Sequence, residues 1–180
     1  MATVSSITSR IRTTLQDVTP KRWTNDEVDE YINEGLEDIA TETKHTRTIE
    51  TLSVVASTTV YDLNSKAIEF ESIDTEQVYT LTSNQRITFT DPAIESVEVI
   101  YYAYPDAVDL ATDQTLDLDN DLVTALRFYV LARCYEKEDL GENFQKAMYY
   151  ENKYNKKIDK NSSRWQGDTE VTIHKNDFYK

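Results

Sequence analysis

Apolar residues recur at helical spacing in four stretches of this 180-residue chain, and between the second and third stretch the period shortens to two. Val4, Ile7, Ile11 and Leu15 make the first stripe. Side chains three and four positions apart share one face of a helix, so the spacing predicts an amphipathic helix over about 3–18, ended by Pro20, with Arg10 and Arg12 off the apolar face. A second helix, over about 24–43, would bury Val28, Tyr31 or Ile32, Leu36 and Ile39. Thr24 and Glu27 mark its start as a capping box, in which hydroxyl and carboxylate satisfy the free amides of the first turn. The carboxylates of that turn suit the positive end of the helix dipole. Leu122, Leu126, Tyr129 and Arg133, with Val130 and Cys134 beside them, predict a third helix over about 120–138. The break around Gly141 leads to a fourth over about 142–159, whose stripe is Phe144, Ala147, Tyr150 or Met148, Tyr154 and Ile158. Helix, turn, helix thus stands at both ends of the chain, and one bundle of two hairpins buries all four stripes. Its expected core packing residues are Trp23, Tyr31, Leu36, Leu126, Tyr129, Tyr150 and Tyr154, with Trp23 packing back on the second helix ahead of the Thr24 cap.

Between the helix pairs, short β-branched and aromatic runs predict a small, mostly antiparallel β-insertion over about 46–106. Gln77–Leu81 and Arg86–Thr90 flank a hairpin turn. In the last run Val97, Val99 and Tyr101 alternate with Glu98, Ile100 and Tyr102; apolar residues on both sides make this strand central or covered. Pro105 stops it, and 106–121 reads as an acidic connecting loop. The expected fold class is therefore α+β, with one domain over 1–160 and an extended tail over 161–180. In that tail Val171 and Ile173 alternate with polar residues, and Trp165, Phe178 and Tyr179 supply aromatics. Such a strand gains most by adding to an edge on a partner.

Composition narrows the function classes. Three glycines and three prolines favour long regular elements over a loop-rich catalytic scaffold. Twelve tyrosines suit surfaces that become interfaces, because the ring is large and apolar while the hydroxyl tolerates water. The net charge of −14 is uneven: residues 61–121 carry two basic against fourteen acidic residues, whereas 122–180 carry eleven against nine. An acidic middle is a poor binder of phosphate. The single cysteine, Cys134, excludes an intrachain disulfide and reads as a small core residue. No apolar run reaches the ~20 residues of a membrane helix, and no signal-peptide core follows the start, so a cytoplasmic or cytoplasmically assembled protein is expected.

Candidate chemistry is sparse. Asp113, Asp117, Asp119 and Asp121 invite comparison with a calcium loop, but Leu122 stands where its glycine belongs and Phe128 where its bidentate glutamate belongs. Helix capping by Asp119 or Asn120 accounts for the cluster instead. His45 and His174 have no cysteine at zinc spacing. There is no nucleophile elbow and no glycine-rich phosphate loop. No catalytic residue, metal or cofactor is expected.

Three stretches resemble the head–tail adaptor, or connector, proteins of tailed bacteriophages. Trp23 to Leu36 follows W-T-N/D-x-E-V/L-x-x-Y-I-N-x-G/A-L, Val97 to Pro105 follows V-x-V-x-Y-Y-x-x-P, and Leu122 to Tyr135 follows L-V/D-x-A-L-x-x-Y-V-L-x-R-x-Y. The resemblance implies a non-enzymatic virion protein at the head–tail junction. It implies a homo-oligomeric, dodecameric ring that docks on the portal protein, offers a platform to tail or nozzle proteins, and lets DNA pass without specific binding. Carried over to this chain, Trp165, Val171, Ile173, Phe178 and Tyr179 would grip the portal. The competing expectation is an acidic DNA mimic that inhibits a host nucleic-acid-binding enzyme, motivated by the charge of 61–121 alone.

Overall fold

The computed structural model describes residues 2–83, 85–90, 92–109, 111–137 and 141–168, with side chains of the last segment described for 143–162. The chain is α+β. Its helices are α1 (Val4–Leu15), α2 (Asn25–Thr43), α3 (Asn120–Lys137) and α4 (Gly141–Asp168). Capping boxes open the first two: Thr3 Oγ1 accepts from the Ser6 amide, and Thr24 Oγ1 accepts from the Glu27 amide while Glu27 reaches back to the Thr24 N–H. None of the helices described is long and apolar enough to cross a membrane.

The helical core gathers Val4, Ile7, Ile11 and Leu15 of α1 with Val28, Ile32, Leu36 and Ile39 of α2, all at most 3% exposed. These close on α3, which is buried on more than one side through Leu122, Val123, Ala125, Leu126, Val130, Leu131, Cys134 and Tyr135. The narrow stripe expected for α3 is thus too small, because α1, α2 and α4 all pack against it. Only the second of the two expected hairpins is a packed pair. α1 packs on α3, and Arg12 ties it to the start of α2.

Four further expectations are corrected. α1 ends at Leu15, well before Pro20, where Gln16 turns left-handed (φ 57°) and its amide closes on the carbonyls of Arg12 and Thr13. Arg12 points inward and is buried. Phe144 is 62% exposed, since the buried line of α4 runs through Asn143, Ala147, Tyr154, Ile158 and Asn161. α4 itself continues to Asp168, so residues 161–168 are helix rather than extended tail. The polar run at its end is absorbed by the helix: Asn161 Nδ2 donates to the Lys157 carbonyl and Ser162 Oγ to that of Ile158. Residues 169–180, and with them Val171, Ile173, Phe178 and Tyr179, lie outside the described residues.

The insertion forms two three-stranded antiparallel sheets. In the first, β7 (Glu95–Ala103) is central between β2 (Arg47–Val54) and β4 (Ala67–Asp74); in the second, β6 (Arg86–Phe89) is central between β3 (Val60–Asp62) and β5 (Tyr79–Ser83). The alternation on β7 is real, with Val97, Val99 and Tyr101 buried. They meet Leu52, Val54, Ile87 and Phe89 in a second core that shares no residue with the helical one. The acidic connection is not all loop. β8 (Thr115–Leu116) pairs with β1 (Ala2–Thr3), and the Val4 amide donates to the Gln114 carbonyl at 2.9 Å.

Candidate assembly surfaces

The corner between α1 and α2 is locked by one buried cation. Arg12 donates to Asp17 Oδ2 (2.9 Å), the carbonyls of Trp23 (2.8 Å) and Thr24 (3.1 Å), and Asn25 Oδ1 (2.9 Å). Burial pushes the Asp17 carboxyl up, but the amides of Lys21, Arg22 and Trp23, together with Arg12, outweigh it and hold the group below its usual value. With the corner fixed, Trp23 is fully buried and its indole N–H donates to the Cys134 carbonyl of α3 at 3.1 Å. Trp23 therefore ties the corner to α3, a longer reach than the local staple expected for it.

One flank of the α3–α4 pair is built from aromatic rings and cations. Tyr135 stacks on Tyr150 (5.8 Å, 2°), and Phe128 and Tyr149 approach Tyr150 at 6.0 and 5.2 Å. Lys146 lies over the Tyr135 ring at 5.2 Å; Lys153 lies over Tyr149 at 4.5 Å and Phe128 at 5.3 Å. Beside them Arg127 is half-buried, and its Nε is a buried donor with no acceptor. Burial, with Arg10 nearby, pushes its pKa down. This flank thus concentrates positive charge on a protein that is strongly negative as a whole.

On the other side of α4, Asp38, Tyr129, Arg133, Phe144, Met148 and Tyr154 line a groove of about 240 Å³. Tyr154 donates to Asp38, and burial followed by that carboxylate pushes the phenol well up. Tyr129 packs edge-on against Tyr154 (5.3 Å) and accepts from Arg133 (3.2 Å). A third exposed surface lies at the tip of the β-region. Val78 is 71% and Ile94 83% exposed, brought together because Gln77 bonds both the Ala93 amide and Glu95 Oε2. Asp74, Glu76 and Glu95, in the same two stretches of chain, are also exposed.

The family model for the SU10 adaptor protein, a phage head–tail adaptor, matches residues 2–78 and 66–172, which takes in the helical body and the whole β-region. The chain belongs to the SU10 adaptor family. No curated protein matches it in sequence. It is accordingly a structural adaptor and a virion component, and the family is not a class of enzymes.

The residues expected to pack the helices divide between the core and its margin. Leu36, Leu126 and Tyr154 lie in the helical core, while Tyr31, Tyr129 and Tyr150 pack half-buried against it. Trp165 stands in the last turns of α4, with its side chain outside the description. The aspartates of the connection are dispersed. Asp113 accepts from the Ser5 amide, Asp119 caps α3 through the Leu122 amide, and Asp121 takes Lys157 (2.5 Å) and Lys160 (3.1 Å). No group of three potential metal ligands converges among the described residues. The cationic flank was missed because Lys146 and Lys153 are seven apart on α4, and the rings they cover belong partly to α3. A scan of α4 for lysines two turns apart, beside tyrosine, would have found it.

Proposed function

We propose that this adaptor assembles as a closed ring on the portal of a tailed phage and presents the platform on which the tail is built, with DNA passing through the ring. The family match over nearly the whole described chain carries this reading. Two kinds of exposed surface support it: the apolar tip of the β-region, and the cation-bearing flank of α3 and α4. The portal grip falls to the end of the chain, at Trp165, Val171, Ile173, Phe178 and Tyr179, with further contact to tail or nozzle proteins. An acidic channel wall repels duplex phosphates and keeps the DNA from sticking. A DNA mimic is less well supported, since Asp62, Glu69, Glu71 and Asp106 of the acidic region are engaged by Arg86, Lys44, Arg47 and Lys66.

The test is electron microscopy of the full chain mixed with purified portal, looking for a second ring beneath the first. A chain ending at Asp168 should keep its fold by circular dichroism and fail to load. Cutting earlier, at Asn161, is a poor test, because Asn161 is 1% exposed and its loss disturbs the helical core. Portal loading at full occupancy by the shortened chain would remove the tail from the docking interface.

A further inference from the structure

The cationic flank of α3–α4 and the acidic tip of the β-region are complements of each other on one molecule. On the flank, Arg127 keeps an unmatched buried Nε, Arg10 stands beside it, Lys146 lies over the buried Tyr135 ring, and Lys153 lies over the exposed Tyr149 ring. Among the described residues none of these four cations makes an ion pair with a carboxylate, unlike Lys157 and Lys160 on the same helix. On the tip, Val78 and Ile94 are the two most exposed large aliphatic side chains described in the β-region, and the exposed Asp74, Glu76 and Glu95 belong to the same two stretches of chain. Each surface therefore offers what the other lacks: apolar area with excess negative charge, against aromatic rings with excess positive charge.

We infer that the β-tip of one copy seats on the α3–α4 flank of the next, with Val78 and Ile94 against Tyr149 and with Glu76 and Glu95 facing Lys146, Lys153 and Arg127. The inference rests on the ring reading and supplies its subunit contact. The two surfaces differ and belong to separate cores, so the contact is head-to-tail. Repetition of such a contact closes into a ring when its rotation permits, whereas a self-complementary patch would stop at a dimer. Desolvation of the carboxylates is offset where cations already held over rings take them up. A second copy fits the flank better than a nucleic acid does. The occupant must bring apolar surface for Tyr149 as well as charge, and the chain's net charge of −14 opposes a polyanion.

The experiment uses the full chain with purified portal. Val78→Cys/Tyr149→Cys, oxidised after loading, should give a ladder of covalent multimers on denaturing gels. Val78→Cys/Val18→Cys should give none, and Cys134 is buried in both. Lys146→Glu/Lys153→Glu should fold normally yet lose ring formation, and adding Glu76→Lys/Glu95→Lys in the same chain should restore it. Rings of the unaltered chain with no ladder, or a half-swapped variant that still forms rings, would overturn the pairing while leaving the ring reading intact. Rings retained by Lys146→Glu/Lys153→Glu with a selective loss of DNA retention would assign the flank to nucleic acid instead. Absence of a ring from the unaltered chain would remove the ring reading, and this contact with it.

Discussion

Replacing Arg12 by methionine keeps the length and much of the apolar contact of its stem, and removes the charge. Four acceptors then lose their donor together: the Asp17 carboxylate, the Trp23 and Thr24 carbonyls, and Asn25 Oδ1. The side chains of Arg12 and Asp17 are 6% and 3% exposed, so water cannot take over the work without opening the corner. Removing one partner of a buried pair costs about 3–5 kcal/mol, chiefly the penalty of the charge left behind. For a chain of this size each kcal/mol moves the melting point by about 2–4 °C, which gives a fall of about 6–20 °C. The assay is urea unfolding by circular dichroism, read as a midpoint shift at constant slope. Asp17→Asn should cost less, because its side chain still serves as an acceptor for Arg12, and the double variant should cost less than the sum of the singles. Since Asp17 lies below its usual pKa of 3.8, its charge stabilises above that pH and is lost below it. The gap between R12M and the unaltered chain should therefore narrow as pH falls below 3.8. A loss below 1 kcal/mol at neutral pH, or a gap that does not change with pH, would refute the lock.

Trp23→Phe should cost about 1–3 kcal/mol by leaving the Cys134 carbonyl without the indole donor, and Trp23→Ala about 3–5, both read from urea midpoints. A Cβ at Gly35 would stand 2.8 Å from Leu126 Cδ1 and 2.9 Å from Tyr129 Cδ1. Gly35→Ala should therefore lose about 1 kcal/mol net, overpacking outweighing the gain in helix propensity, with Tyr129 ring shifts in the NMR spectrum. Asp121 is held down to about 2 by Lys157 and Lys160, against an ordinary 3.8. Its depressed pKa adds stability that is present above 3.8 and lost as pH falls toward 2. An acid titration of Asp121→Asn followed by circular dichroism should accordingly show a flatter limb in that window.

What the sequence showed well was short-range and periodic. The Thr24–Glu27 box needs only two residues three apart, and the stripes of α1 and α2 follow from spacing alone. The alternation on β7 correctly placed that strand in the middle of its sheet. What it hid depends on partners distant in sequence. Arg12 borders the α1 stripe and looks like a solvent-facing residue until Asp17 and the Trp23 carbonyl fold over it. Phe144 is the most apolar residue near the start of α4, yet a helix turns its buried line by geometry, and that line favours Ala147 and Asn161. The end of α4 was misplaced because Asn161, Ser162 and Ser163 resemble a linker; bonds back to the preceding turn keep the first two helical. Two-residue strands such as β1 and β8 carry no period at all. Of the assembly surfaces, the exposed tyrosines were visible as an excess, but their cations and the acidic tip emerged only when separate elements were brought side by side.

Because the helical and sheet cores have no residue in common, the adaptor is a body interrupted by a graft. The described residues within 2–43 and 107–162 supply the body, and Val108 and Leu116 belong to it although they follow the sheets. The graft begins after Thr43 and returns at Val108, whose amide and carbonyl are both held by Asn33 of α2. That clasp fixes the footing of the excursion, whatever its length or surface. Lineages could accordingly remodel the protruding sheets to suit a new neighbour, leaving the four-helix foundation unaltered.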